Sequence, residues 1–269
     1  MKVCIIGCGS MGLIYADLLL KTNTVENSNL CLIAKNEIHR DKLQLQKYSN
    51  IKFLDDSNIH AADLIILAVK PQDFLSIKDK ISGKINPKAL VISIMAGISI
   101  SFLQNNLLHN SCIRAMPNAP ALFGKGMTVF CYSSALSEEL INFGEQILSL
   151  TGKSIKTNDE NILDLVTALS GSGPAYFFYQ AKLLMAAAEN IGMDLEMAEI
   201  LVKQTLIGSA ELVSNTNLSL DQLVKTVASK GGTTEAAINH FNSSGFEKII
   251  FEGLQKATQR SKELAQELL

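Results

Sequence analysis

The chain of 269 residues carries 24 Lys and Arg against 26 Asp and Glu, a formal net charge of −2, and is 47% hydrophobic and 19% charged. That apolar content excludes intrinsic disorder, and at roughly 150 residues per domain the length favours two domains. A pI of about 6.1 with dispersed cations argues against nucleic acid as a partner.

Residues 2–6 read as a short strand that runs into Gly7-Cys8-Gly9-Ser10-Met11-Gly12, after which Met11, Ile14, Tyr15, Leu18 and Leu19 recur at helical spacing. Strand, glycine turn and helix in that order suit a dinucleotide: Gly7 for the tight turn, Gly9 for close approach of a pyrophosphate, Gly12 for packing of helix on strand. The helix start then offers an anion site. Only a few apolar residues precede Cys8, too few for a signal peptide. Further strand-like runs at 30–34, 64–69, 90–94, 111–115 and 127–132 alternate with helical or irregular segments, the pattern of an α/β fold with a mainly parallel sheet.

The second of these runs ends Ala34-Lys35-Asn36, where an NAD site would carry a carboxylate. A cation at Lys35 tolerates a 2′-phosphate, so NADPH is expected ahead of NADH, although Lys35 also suits a solvated strand end. The longest uncharged run, 89–113, is interrupted by Gln104, Asn105, Asn106, His109 and Asn110 and falls short of the ~20 apolar residues of a membrane span, so a cytoplasmic protein is expected. Beyond about Thr157 the pattern turns helical, over 161–169, 174–191, 195–213, 220–227, 234–241 and 246–268. The expected division is therefore a Rossmann-type domain over 1–156 and an all-α domain over 157–269. Pro174, after Gly171-Ser172-Gly173, suits a helix break and a new start.

Five cysteines (Cys4, Cys8, Cys31, Cys112 and Cys131) form an odd set without zinc spacing, and the four in strand-like runs read as small buried hydrophobes, with no disulfide or metal. His39, His60, His109 and His240 lie in polar loop or helix-surface contexts and read as surface histidines. Paired carboxylates fall at turns and helix starts, so hydrolysis has no candidate and cofactor-borne chemistry remains.

Four further segments stand in order: Ala68-Val69-Lys70-Pro71; Arg114-Ala115-Met116-Pro117-Asn118-Ala119-Pro120-Ala121; Leu169-Ser170-Gly171-Ser172-Gly173-Pro174-Ala175-Tyr176; and Ser229-Lys230-Gly231-Gly232-Thr233-Thr234-Glu235-Ala236-Ala237-Ile238. Together with the glycine loop the chain resembles the Δ1-pyrroline-5-carboxylate reductases over essentially its whole length. The resemblance implies a Rossmann domain for NAD(P)H and a helical dimerisation domain, with the active site near the dimer interface and dimers that often assemble into larger rings. It also implies hydride transfer to the C=N carbon of 1-pyrroline-5-carboxylate, giving L-proline. Another small NADPH-dependent imine or hydroxyacid reductase on the same scaffold is the alternative.

The same resemblance implies roles for particular residues. Thr234 would serve the imine nitrogen, Gly231, Gly232 and Thr233 the substrate carboxylate, and Val227 the pocket wall, while Thr226 stands where some members have Asn. Ser170, Ser172 and Gly173 would shape the pocket from a second turn, with Pro174 structural. Ala68, Val69, Lys70 and Pro71 would cross the adenosine and pyrophosphate region, Asn58 would lie near the adenosine ribose, and Ala96 and Gly97 beside the nicotinamide. Asn118 belongs either to a rigid proline turn or to direct contact. Lys230 departs from the pattern, which more commonly has proline there; it restores an N–H and adds a charge beside the carboxylate site.

Overall fold

Near-continuous Val, Ile and Leu runs mark strands covered on both faces, and the computed structural model, which describes residues 1–267, places four of them side by side with every residue buried. These are β1 (Val3–Ile6), β2 (Leu30–Ile33), β4 (Leu64–Leu67) and β5 (Leu90–Ser93). With β3 (Ile51–Lys52), β6 (Cys112–Met116), β7 (Gly126–Tyr132) and β8 (Gly152–Lys156) they form one eight-stranded sheet in the order β3-β2-β1-β4-β5-β6-β7-β8. All neighbours are parallel except β6 and β7, which are antiparallel. Two strands escape the sequence pattern: β3 has only two residues, and β8 reads Gly-Lys-Ser-Ile-Lys with no residue fully buried.

Side chains alternate across the sheet. Val3, Ile5, Leu32 and Ile66 join one core with Tyr15 and Leu19 of α1 (Ser10–Lys21), and Ile141 and Leu148 of the later helix 138–149 join the same cluster. Cys4, Ile6, Ile33 and Leu67 face the other way, toward Ile59, Phe74, Ile81, Leu103 and Leu107. The helices involved are α2 (Glu37–Gln44), α3 (Asp56–His60), α4 (Pro71–Phe74), α5 (Lys78–Ile81), α6 (Ile100–Leu107) and α7 (Glu138–Ser149).

After β8 the chain is helical: α8 (Ile162–Val166), α9 (Gly173–Asn190), α10 (Leu195–Asn215), α11 (Leu220–Val227), α12 (Thr233–Ser243) and α13 (Phe246–Gln266). The expected end of the last helix at residue 268 lies outside the described residues. Two compact units are present, one from Met1 to Ser172 together with the chain from Ala257 onward, the other Gly173–Lys256. The sequence reading sets its boundary near Thr157, where strands stop; the compact units divide inside the helical stretch that follows.

A new helix starts at Gly173 with Pro174 in its first turn, as expected, but the segment before it is not an open glycine turn. Thr167–Gly171 form a π-turn, marked by Ser172 N–H donating to Thr167 O at 2.8 Å, and Ser172 keeps right-handed helical angles up to the start of α9. The extra residue absorbs what the sequence suggests as a turn. Pro174, inside the first turn of α9, has no N–H to offer Ser170 O, and that carbonyl accepts from Asn118 Nδ2 at 3.0 Å instead.

Candidate active site

The strand order reverses between β2-β1 and β4, the position where open α/β sheets hold ligands at the carboxyl ends of their strands. Gly7 leaves β1 there and Ala68 leaves β4 beside it, with Ala68 N–H donating to Ile6 O at 2.8 Å. A side chain at Gly7 would put its Cβ 2.5 Å from Ala68 C and Val69 N, and the residue has φ +106°; a Cβ at Gly12 would lie 2.0 Å from Gly7 O. Gly9 has nothing within 4 Å of a hypothetical Cβ. Two glycines thus close the βα unit and the third leaves open space at the start of α1.

That helix start suits an anion. Gly9 is the N-cap, no side chain caps it, and the first turn holds no acidic residue. By contrast α2, α3, α6, α7, α10 and α11 are capped by Asn36, Asp55, Ser99, Ser137, Asp194 and Ser219. Ser10, Met11 and Gly12 N–H are left for a ligand. Cys8 turns its thiol inward, buried, with Sγ donating to Ile33 O at 3.5 Å, so the loop presents Cys8 only through its backbone.

Lys35 stands just past β2, its side chain 78% exposed, with Asp73 Oδ1 3.9 Å away. An exposed pair of this kind contributes little and leaves the ammonium available. Asn36, which sequence reasoning passed over, caps α2 by accepting from His39 N at 2.9 Å, and Lys35 N–H donates to His39 Nδ1 at 3.3 Å. Asn58 is half-buried in α3, donates from Nδ2 to Phe53 O, and lines a small cleft with Lys2, Ser28, Asn50 and Lys52. Lys70 stands at the N-cap position of α4 without a side-chain cap, and Pro71 begins the helix.

Beyond β5 the chain turns through Ala96 and Gly97 (φ +74°) into α6. A charged network that the sequence gives no sign of lies under this turn. Arg114 Nη1 meets Glu160 Oε1 at 3.0 Å and Nη2 meets Asp164 Oδ1 at 3.5 Å, with Arg114 buried. Glu160 Oε1 also accepts from Ile100 N at the start of α6, and Asp164 accepts from Ser261 Oγ. Its bonded partners are 46 to 97 residues apart in sequence, so no local pattern reveals it. Asn118 is likewise structural, since its Oδ1 accepts from Met127 N at 2.8 Å while Nδ2 holds Ser170 O. Ser170 Oγ donates to Val166 O, inside its own helix. Ser170 therefore belongs to the π-turn, Ser172 caps its end and Gly173 opens α9, rather than forming a free glycine turn.

In the second unit α11 ends at Val227, exposed, and Thr226 donates to Leu223 O. The chain then turns through Gly231 (φ +74°) into α12, whose N-cap is Gly232, again without a side-chain cap. Gly232 N–H donates to Ser229 O at 3.0 Å and Gly231 N–H to Glu235 Oε2 at 2.7 Å. The two glycine donors expected to face a carboxylate thus have partners inside the turn. Thr233 and Thr234, both in the first turn of α12, carry N–H groups and hydroxyls without partners among the described residues.

All five cysteines are free and buried. Burial pushes the thiols of Cys8, Cys112 and Cys131 up to about 12. No group of His, Cys, Asp and Glu among the described residues can hold a metal ion. His109 corrects the reading of a surface residue: it is buried, with Nε2 2.8 Å from Ala89 O, and burial lowers its pKa.

Comparison with known proteins matches residues 160–264 to the family model for pyrroline-5-carboxylate reductase dimerisation and residues 2–97 to that for NADP oxidoreductase, coenzyme F420-dependent. Pyrroline-5-carboxylate reductase 1 of Bacillus subtilis is 30% identical over 269 residues, covering 99% of this chain and 90% of that one. The pyrroline-5-carboxylate reductase of Pseudomonas aeruginosa is 37% identical over 217 residues, 79% of this chain and 80% of its own. Among solved structures, a pyrroline-5-carboxylate reductase from Coxiella burnetii superimposes with a TM-score of 0.86 at 31% identity, and the Plasmodium falciparum pyrroline carboxylate reductase with NADP bound with 0.84 at 25%; each covers 98% of both chains.

Proposed function

The chain belongs to the pyrroline-5-carboxylate reductase family, and we propose on that premise how its residues carry out NADPH-dependent reduction of 1-pyrroline-5-carboxylate to L-proline, the final step of proline biosynthesis. The observation that carries the reaction is a likeness to named reductases that runs the length of the chain. NADPH, when bound, supplies the hydride. The cradle of Gly7, Gly9 and Gly12 receives its pyrophosphate on the N–H groups of Ser10, Met11 and Gly12, at the positive end of α1. Ala68 to Pro71 wall the same crevice, with Asn58 assigned to the adenosine side. Lys35 pairs with the 2′-phosphate, and Ala96 and Gly97 hold the nicotinamide face.

A protonated cyclic imine is already electrophilic, so the protein must hold its carboxylate, accept a hydrogen bond from its N–H and fix the carbon for attack. Thr233 and Thr234 N–H take the carboxylate at the start of α12, and the Thr234 hydroxyl oxygen accepts from the N–H of the protonated imine. Gly231 and Gly232 shape the turn that aims these donors, because their own N–H groups are engaged within it. Val227, exposed at the end of α11, is assigned to the wall of this substrate turn within the second unit.

The chain forms a homo-oligomer through its dimerisation domain; we assign it a homodimer as the basic unit, with larger assemblies of dimers. No helix among the described residues is long and apolar enough to cross a membrane. Five free thiols suit a reducing compartment, and we assign the cytoplasm. The test is oxidation of NADPH, and separately NADH, by the purified protein with racemic 1-pyrroline-5-carboxylate, with chiral analysis for L-proline. L-Proline formed faster with NADPH is the expected result; cofactor binding without turnover overturns the substrate assignment.

A further inference from the structure

The turn before α12 is held by a carboxylate from inside the helix it leads to. Glu235, third residue of α12, reaches back so that its Oε2 accepts from Gly231 N–H at 2.7 Å. In a capping box the third-position acid serves the N-cap N–H; here the N-cap N–H of Gly232 is taken by Ser229 O, and Glu235 serves the residue before it. One side chain thereby pins Gly231, at φ +74°, to the first turn of the helix. A Gly-Gly pair has the most pliable backbone a chain can have. Lys230, unlike a proline, does nothing to restrict it.

The same carboxylate adds a second effect of opposite sign. Glu235 brings a negative charge to the helix end whose Thr233 and Thr234 N–H groups point to an anion, so it competes with the ligand for that field. Geometry favours binding and charge opposes it, and the two are separable because glutamine keeps the accepting oxygen and drops the charge.

We propose that Glu235 is a positioning and specificity residue for the anionic cyclic-imine substrate: its hydrogen bond to Gly231 keeps the Thr233 and Thr234 donors aimed, while its charge limits the affinity for carboxylates. The inference rests on the substrate reading above. It is tested on the full-length enzyme with Glu235→Gln and Glu235→Ala, measuring KM and kcat for 1-pyrroline-5-carboxylate at saturating NADPH, together with NADPH affinity and melting temperature. Glu235→Gln lowers KM several-fold with kcat within about twofold of the parent, and Glu235→Ala raises KM at least about tenfold, with NADPH affinity unchanged in both. Equal behaviour of the two variants, or an unchanged KM in the alanine variant, overturns the proposal. Should the alanine variant not fold, a raised or unchanged KM in Glu235→Gln is enough to overturn it. A parent enzyme that binds NADPH but turns over no imine brings down the substrate reading itself, a result distinct from either.

Discussion

In the proposed mechanism Thr234 serves the imine nitrogen through its hydroxyl, so removing that hydroxyl separates chemistry from cofactor binding. Thr234→Ala is expected to lower kcat/KM by about tenfold to a hundredfold, the loss of one hydrogen bond at the reacting nitrogen, with NADPH affinity unchanged in a fluorescence titration. His109 carries a pH prediction. Its folded pKa lies below the ordinary value, so between the two the unfolded chain binds more protons; stability is full above about pH 6.5 and falls as the pH drops through that value toward the folded pKa. Melting temperatures between about pH 5.5 and pH 7.5 should rise more steeply in the parent than in His109→Gln. At this scale the sequence is legible where backbone chemistry repeats, as in Gly7, Gly9 and Gly12. It is silent where a partner is distant: nothing local tells that His109 meets Ala89 or Arg114 meets Glu160. Glu235 was within reach, since an acid three residues after a helix start is a recognisable signal.

Among the elements, the β1-α1 unit tolerates least. Gly12→Ala places a methyl 2.0 Å from the backbone oxygen of Gly7, which cannot yield without moving the loop proposed to receive the pyrophosphate. Loss of NADPH binding by titration calorimetry is expected, with destabilisation of about 2 kcal/mol or more from overpacking. The apolar strands could be read from sequence because burial on both faces demands unbroken Val, Ile and Leu. β3 and β8 could not, being respectively too short and too exposed to carry that pattern. The π-turn at Thr167–Gly171 was missed for a different reason: composition reports glycine and proline but not whether a helix absorbs them by one extra residue.

For the whole molecule the second unit poses the plainest physical problem. α9 has 18 residues and only Gly173 buried; α10 has 21 and only Ala198 buried. Phe177, Phe178, Leu184, Ile200, Leu201 and Ile207 are all exposed, far more apolar surface than a lone helical pair keeps in water. The dimerisation domain is the resolution, and self-association is therefore part of folding for this unit. Leu184→Arg is expected to lower the molar mass in light scattering to that of the single chain, with a melting temperature that no longer rises with concentration. The helical character of this stretch is legible from periodicity and the second copy from the family resemblance, whereas how much apolar surface that copy must cover shows only once exposure is known.

The five buried thiols have a practical consequence. With no disulfide to reshuffle, and burial raising Cys8, Cys112 and Cys131 to about 12, a disulfide dye reacts slowly while the chain is closed, and first at Cys31, whose pKa is lowered by its hydrogen bond with Cys4. All five lie on or beside strands of the one sheet, so the number of equivalents consumed over time is a built-in stopwatch for its opening. Saturating NADPH, if bound as proposed across the ends of β1 and β2, should slow that stopwatch in proportion to its occupancy.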